Sequence, residues 1–143
     1  MIEACVVDAS VGIKLFILEA DSPAADMLFS SLAAEPPARF YVPDLFYAEC
    51  ANVLWKYVRH YGYPIKNAYR DLTSLQNLDL LTVSSADLLA PAMKLALAHD
   101  ISIYDACYAA LAYQLKFPLV SADRALKRNL LGSEIQFLEL SEL

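Results

Sequence analysis

Along the chain, short apolar runs alternate with longer stretches whose apolar positions recur at helical spacing. The run "ACVVD" (4–8) is rich in β-branched residues and ends at an acid; "ASVGIKLFILE" then turns helical, with Val11, Leu15 and Leu18 on one stripe. A second helix is predicted in "DSPAADMLFSSLAAE", with Ser22 as N-cap and Pro23 at the first helical position, where proline's missing N–H costs nothing. "ARFYV" (38–42) reads as a strand closed by Pro43. "PDLFYAECANVLWKYVRHYG" reads as a long helix stopped by Gly62. Pro64 opens another helix, "PIKNAYRDLTSLQNL", before the short strand "DLLTV" (79–83).

"SSADLLAPAMKLALAHD" is helical, with an adjustment expected at Pro91 where a backbone donor is missing. There follow the helix "ISIYDACYAALAYQL", the strand "PLVSA", the helix "DRALKRNLLG" closed by Gly132, and the strand "IQFLEL". Five strands separated by helices predict an α/β fold: a five-stranded, mostly parallel sheet with right-handed crossovers and helices on both faces, a three-layer α/β/α sandwich. No repeat, linker or low-complexity tract interrupts it, so residues 1–143 are expected to form a single domain.

The acids change this picture. In an open α/β sheet, ligands sit beyond the carboxyl ends of the strands, where the strand order reverses. Asp8 ends the first strand, Asp123 follows the fourth, and Asp105 opens the helix leading into the fourth. Glu49 lies inside a helix, on the stripe shared with Leu45, Phe46, Asn52 and Val53. Each acid taken singly also suits a plain role: Asp8 as an N-cap, Asp105 and Asp123 as first-turn acids favoured by the helix dipole, and Glu49 as a partner of Lys56 or Arg59. Taken together, four converging carboxylates repel one another at pH 7 unless a multivalent cation sits among them. All-oxygen ligation selects hard cations, Mg²⁺ or Mn²⁺. Such a cluster activates water and clamps a phosphodiester for in-line displacement.

Ser10, Asn52 and Ser121 are placed to orient these carboxylates or a bound water, although ordinary turn bonds also suit the serines. Lys14, Arg124, Lys127 and Arg128 lie near the same edge and are candidate phosphate contacts; the alternative for each is a solvated charged face. Tyr104, Tyr108 and Tyr113 accompany the helix of Asp105, and Tyr57, Tyr61 and Tyr63 end the long helix. Core or dimer packing suits aromatics at this spacing, with stacking on RNA bases as the alternative. His60 and His99 are isolated and receive no role.

Composition constrains the partners. The hydrophobic fraction is 58%, above the globular norm, which points to an apolar face covered by a partner or a second copy. The net charge of −6 excludes a generic nucleic-acid coat, so any nucleic-acid role is local. Cys5, Cys50 and Cys107 show no metal spacing and leave one unpaired. No secretory leader or membrane span is legible, and a cytoplasmic location follows as the expectation.

The blocks "VVDASVGIKLF", "YVPDLFYAECANVLWK" and "ISIYDACYAALAYQLKFPLVSADRAL" resemble, in order and over nearly the whole chain, those of the PIN domain, and most closely the VapC-type ribonuclease toxins. The resemblance implies a PIN-like sandwich with Asp8, Glu49, Asp105 and Asp123 as an acidic site for Mg²⁺ or Mn²⁺, and Ser121 in the family's Thr/Ser position. It further implies an endoribonuclease, homodimerisation, and inhibition by a small antitoxin protein. One alternative is a PIN-like scaffold that binds RNA or protein without cutting, against which the intact acid set argues. Dehalogenase-like phosphatases need a second acid where this chain has Ser10. Receiver domains need an acceptor Asp where it has "LLTVSSA".

Overall fold

The computed structural model describes residues 2–143. Five parallel strands run in the order β3-β2-β1-β4-β5: β1 Ala4–Val7, β2 Arg39–Pro43, β3 Leu81–Val83, β4 Leu119–Ser121 and β5 Phe137–Glu139. The expected sheet is thus parallel throughout. The central strands β1 and β4 are buried along their whole length, as a parallel sheet covered on both faces requires, whereas edge strand β3 is largely exposed. From β1 the chain moves outward to β3 and then returns to the other side of β1, so the reversal falls between β1 and β4, with Val7 paired to Val120.

Seven helices connect the strands: α1 Ala9–Gly12, α2 Ser22–Ser30, α3 Leu45–Tyr61, α4 Ile65–Gln76, α5 Leu89–His99, α6 Ile103–Leu115 and α7 Arg124–Asn129. Right-handed crossovers on the outward and return paths put α1–α4 and α5–α7 on opposite faces of the sheet. The longest helix, α3, stops at Gly62, whose φ of 69° is left-handed and accessible to glycine without strain. Helix α6 is buried from Ala106 to Ala112; its small residues let it lie close on the sheet.

Three local expectations are corrected. The helix after Asp8 is a single α-turn followed by a 3-10 turn, Ile13–Leu15, and Leu18 is exposed. The chain turns away there because Lys14 is drawn into ion pairs with Glu19 and Asp21. Asp21 rather than Ser22 occupies the N-cap position of α2; the Ser22 hydroxyl instead accepts the Glu19 N–H at 2.9 Å. Pro91 causes no interruption, because it falls in the first turn of α5, preceded by a 3-10 turn at Ser85–Leu88, where its absent N–H has no intrahelical acceptor.

One close approach positions the site. At Gly12 a Cβ would stand 2.6 Å from Cζ of the fully buried Phe46, so α1 packs against α3 at a distance only glycine permits. Substituting Gly12→Ala forces the Phe46 ring, and with it the α3 turn that carries Glu49, to shift. We expect a loss of about 1–3 kcal/mol in chemical denaturation, typical of an overpacked core; an unchanged midpoint would show that the ring yields freely.

Candidate functional site

Where β1 ends, the Asp8 N–H donates to the Val120 carbonyl at 3.0 Å, tying the two central strands together at their carboxyl ends. The Asp8 side chain is then buried at the reversal point. Its Oδ2 accepts from the Ser121 hydroxyl at 2.7 Å and from the Ser10 hydroxyl at 2.8 Å. In turn Ser121 Oγ accepts the Asp123 N–H at 3.0 Å, and Ser10 Oγ accepts the Ala122 N–H at 3.1 Å. Each serine therefore spends its one hydrogen on Asp8 and receives one from the backbone. Although Asp8 occupies the N-cap position of α1, its side chain makes no capping bond.

Asp123 does cap α7, with Oδ1 accepting the Leu126 N–H at 3.0 Å. Asp105 stands in the first turn of α6 but is not the cap: Ser102 is, accepting the Asp105 N–H at 3.1 Å. Glu49, half-buried on α3, accepts at Oε1 from the Tyr108 hydroxyl at 2.6 Å. Tyr108 is fully buried, one turn beyond Asp105 on α6. The packing expectation for its ring holds, but its hydroxyl reaches an acid that spacing alone did not connect to it. The legible signal was a tyrosine three residues after an acid on an otherwise apolar helix face.

The four acids share one electrostatic environment. Burial, followed by the charges of Asp8 and Asp123, pushes the Asp105 carboxyl up to about 6. Burial raises Asp8 as well, partly offset by its two serine hydroxyls and reinforced by Asp123. Glu49 is raised by burial and by Asp8 and Asp105, against the lowering effect of Tyr108. Burial and the neighbouring acids push the Tyr108 phenol far above its ordinary value, so it serves as a donor.

Among the described residues no Lys or Arg forms an ion pair with any of the four acids. An all-oxygen set with uncompensated negative charge fits a hard divalent cation better than any softer metal. No three of these side chains close into a ready-made cage; they line a common edge, with carboxylates able to move by rotamer change.

The remaining candidates divide. Ser10 and Ser121 lie within the cluster. Asn52 is exposed and makes no side-chain hydrogen bond to Glu49 among the described residues. Lys14 is corrected as a phosphate contact: it is buried, pairs with Asp21 at 3.0 Å and also with Glu19, and its donors are committed within the chain. Arg124 Nε donates to Glu139 at 3.0 Å and Lys127 pairs with Glu142 at 2.8 Å, both near the surface. Arg128 is exposed and forms no ion pair among the described residues.

A parallel α/β sandwich of this strand order, with carboxylates gathered where the order reverses, defines a class of fold with acidic side chains at the carboxyl ends of its central strands. The chain belongs to the PIN domain family, whose profile matches residues 5–129. It is 34% identical to ribonuclease VapC3 of Pyrobaculum aerophilum over 123 residues, covering 85% of this chain and 90% of that one. Among solved structures it resembles PAE2754 of the same organism, with a TM-score of 0.70 and 22% identity over 99% of this chain and 85% of the other. It also resembles VapBC2 from Rickettsia felis bound to a DNA fragment from their promoter, with a TM-score of 0.69 and 13% identity over 95% and 98% of the two chains. These two structural likenesses confirm the fold.

The raised Asp105 carboxyl has a signed consequence. Between its ordinary value of 3.8 and about 6 the folded protein holds a proton that the unfolded chain has released. The associated stability is present below the lower value and lost as pH rises through the upper one. In chelator, Asp105→Asn, which cannot ionise, is therefore expected to raise the melting temperature relative to wild type at pH 7.5 and to shift it less at pH 4. A variant less stable than wild type at pH 7.5 would mean that the carboxylate has a stabilising partner.

Proposed function

We propose that this protein is a metal-dependent endoribonuclease and the toxin component of a toxin–antitoxin pair. The observation that carries this reading is the buried Asp8 carboxylate, held by two serine hydroxyls at the β1/β4 junction with Glu49, Asp105 and Asp123 around it and no basic counter-charge. The likeness to a protein named ribonuclease VapC3 supports the same chemistry.

Asp8, Glu49, Asp105 and Asp123 would hold the Mg²⁺ or Mn²⁺. When bound, the metal supplies a nucleophilic water at neutral pH and Lewis-acid stabilisation of the phosphoryl oxygens. Ser10 and Ser121 fix the Asp8 carboxylate at the strand junction and favour its ionised form. Asp105, raised by burial and by its acidic neighbours in the metal-free chain, would be held ionised by the cation's charge when the metal is bound. RNA enters at the strand ends; of the α7 cations near Asp123 in the chain, Arg128, exposed and without an ion pair among the described residues, is the best candidate for its phosphates, while Arg124 and Lys127 would first have to leave Glu139 and Glu142. The scaffold reading is weaker, since every acid of the set is present.

Two exposed apolar faces support partners. Leu89, Met93 and Leu97 recur at one-turn spacing along α5, and Trp55, Tyr61, Ile65 and Tyr69 project from the α3–α4 hairpin. Faces of this kind suit a homodimer and a small antitoxin protein, and the solved neighbours include a toxin–antitoxin complex from Klebsiella pneumoniae. Among the described residues no helix is long and apolar enough to cross a membrane, and the three buried free cysteines suit a reducing cytoplasm.

Purified protein incubated with a mixed RNA pool is expected to cleave it with Mg²⁺ or Mn²⁺ and not with chelator. Asp8→Asn and Asp105→Asn should each lower the rate by at least about 100-fold, and Ser121→Ala by about 10–100-fold with the fold intact. Cleavage at equal rates by wild type and Asp105→Asn would overturn the assignment.

A further inference from the structure

The hydrogen bonds of three site acids share a pattern. Asp8 has Oδ2 bound by two hydroxyls, Asp123 has Oδ1 bound by the Leu126 N–H, and Glu49 has Oε1 bound by the Tyr108 hydroxyl. In each, one carboxylate oxygen is committed to these donors, and among the described residues the other oxygen of Glu49 and of Asp123 accepts no hydrogen bond. Two of the donors are ordinary for their positions, a strand-end serine pair and a helix-terminal N–H. The third is not. Glu49 has three side-chain torsions and projects from mid-helix, so without a partner it would sample many rotamers and could turn both oxygens to one point.

Resting on the nuclease reading above, we propose that Tyr108 is a positioning and specificity-determining residue: its buried hydroxyl holds Glu49 Oε1 so that Glu49 offers a divalent cation Oε2 alone, which selects small octahedral ions, Mg²⁺ or Mn²⁺, over Ca²⁺.

The chemistry follows from the two kinds of ion. Mg²⁺ demands near-ideal octahedral geometry and takes single oxygens from its carboxylates, whereas Ca²⁺ accepts six to eight oxygens and commonly takes both from one carboxylate. A glutamate free to turn would therefore serve Ca²⁺ well. A glutamate with one oxygen retained by a buried phenol serves it less well: Oε1 keeps a second lone pair, but the 2.6 Å bond fixes the carboxylate's direction, and turning both oxygens onto one ion would strain that bond against a fully buried Tyr108 hydroxyl. A phenylalanine would fill the same core volume, so packing explains the ring but not the hydroxyl. Tyr108 also stands one turn beyond Asp105, so a single rigid helix, α6, both presents one acid and orients another that comes from α3.

The test is Tyr108→Phe, which keeps the ring, compared with wild type by calorimetric titration of Mg²⁺, Mn²⁺ and Ca²⁺ separately, and by kinetics on RNA. The expected result is a rise of about tenfold in Ca²⁺ affinity relative to Mn²⁺, together with a lower kcat at nearly unchanged KM. Glu49→Asp, which shortens the side chain away from the phenol while leaving Tyr108 in the core, should relax the same ion preference if Tyr108→Phe proves too unstable to titrate. A wild type that prefers Mg²⁺ or Mn²⁺ over Ca²⁺ while the variants keep that preference overturns this proposal alone. A wild type that binds no divalent ion overturns both it and the metal-dependent reading on which it rests.

Discussion

The structure depends on a charged group being tolerated at the end of its most buried strand. Asp8 follows directly on three fully enclosed residues, Cys5, Val6 and Val7, and a bare carboxylate there would be among the costliest groups a core can hold. It is tolerated because Ser10 and Ser121 both donate to one of its oxygens, and because the two serines are in turn held by backbone N–H groups of residues 122 and 123. The same bonds that keep Asp8 in place stitch β4 to β1, so the sheet junction and the placement of the acid are one construction.

Around that point the remaining acids arrive by different routes: Asp123 from the turn after β4, Asp105 from the start of α6, and Glu49 from the middle of α3. Asp123 is oriented by the Leu126 N–H of the helix it caps and Glu49 by the Tyr108 hydroxyl, neither by a basic residue. The absence of a Lys or Arg partner for any of the four among the described residues leaves negative charge concentrated at one edge. That edge is destabilising for the protein alone, since like charges brought together by folding repel unless one takes up a proton.

Much of this was legible in the chain. The alternation of apolar runs and helical stripes is strong because a parallel sheet buries its strands on both faces, and acids closing such runs at residues 8 and 123 stand out against them. The reversal of strand order between β1 and β4, which turns two distant acids into neighbours, was not legible: handedness fixes the face a crossover covers, not which strands pair. Helix ends were less legible: Phe16 closes the first helical segment early because Lys14 turns toward Glu19 and Asp21, a choice made by charges further along the chain.

Sequence by itself determined the class of fold, since burial pattern is a local property that periodicity records, and it offered the four acids and the two serines only as candidates. Only tertiary structure decided that Lys14 is committed to internal ion pairs, that Asn52 faces outward, and that the Tyr108 hydroxyl meets Glu49 across 59 positions of chain. The physical reason is the same in each case: a helix face is readable from spacing, but which side chain on another element lies opposite it is set by how closely the two elements pack, here at Gly12 and along the small-residue face of α6.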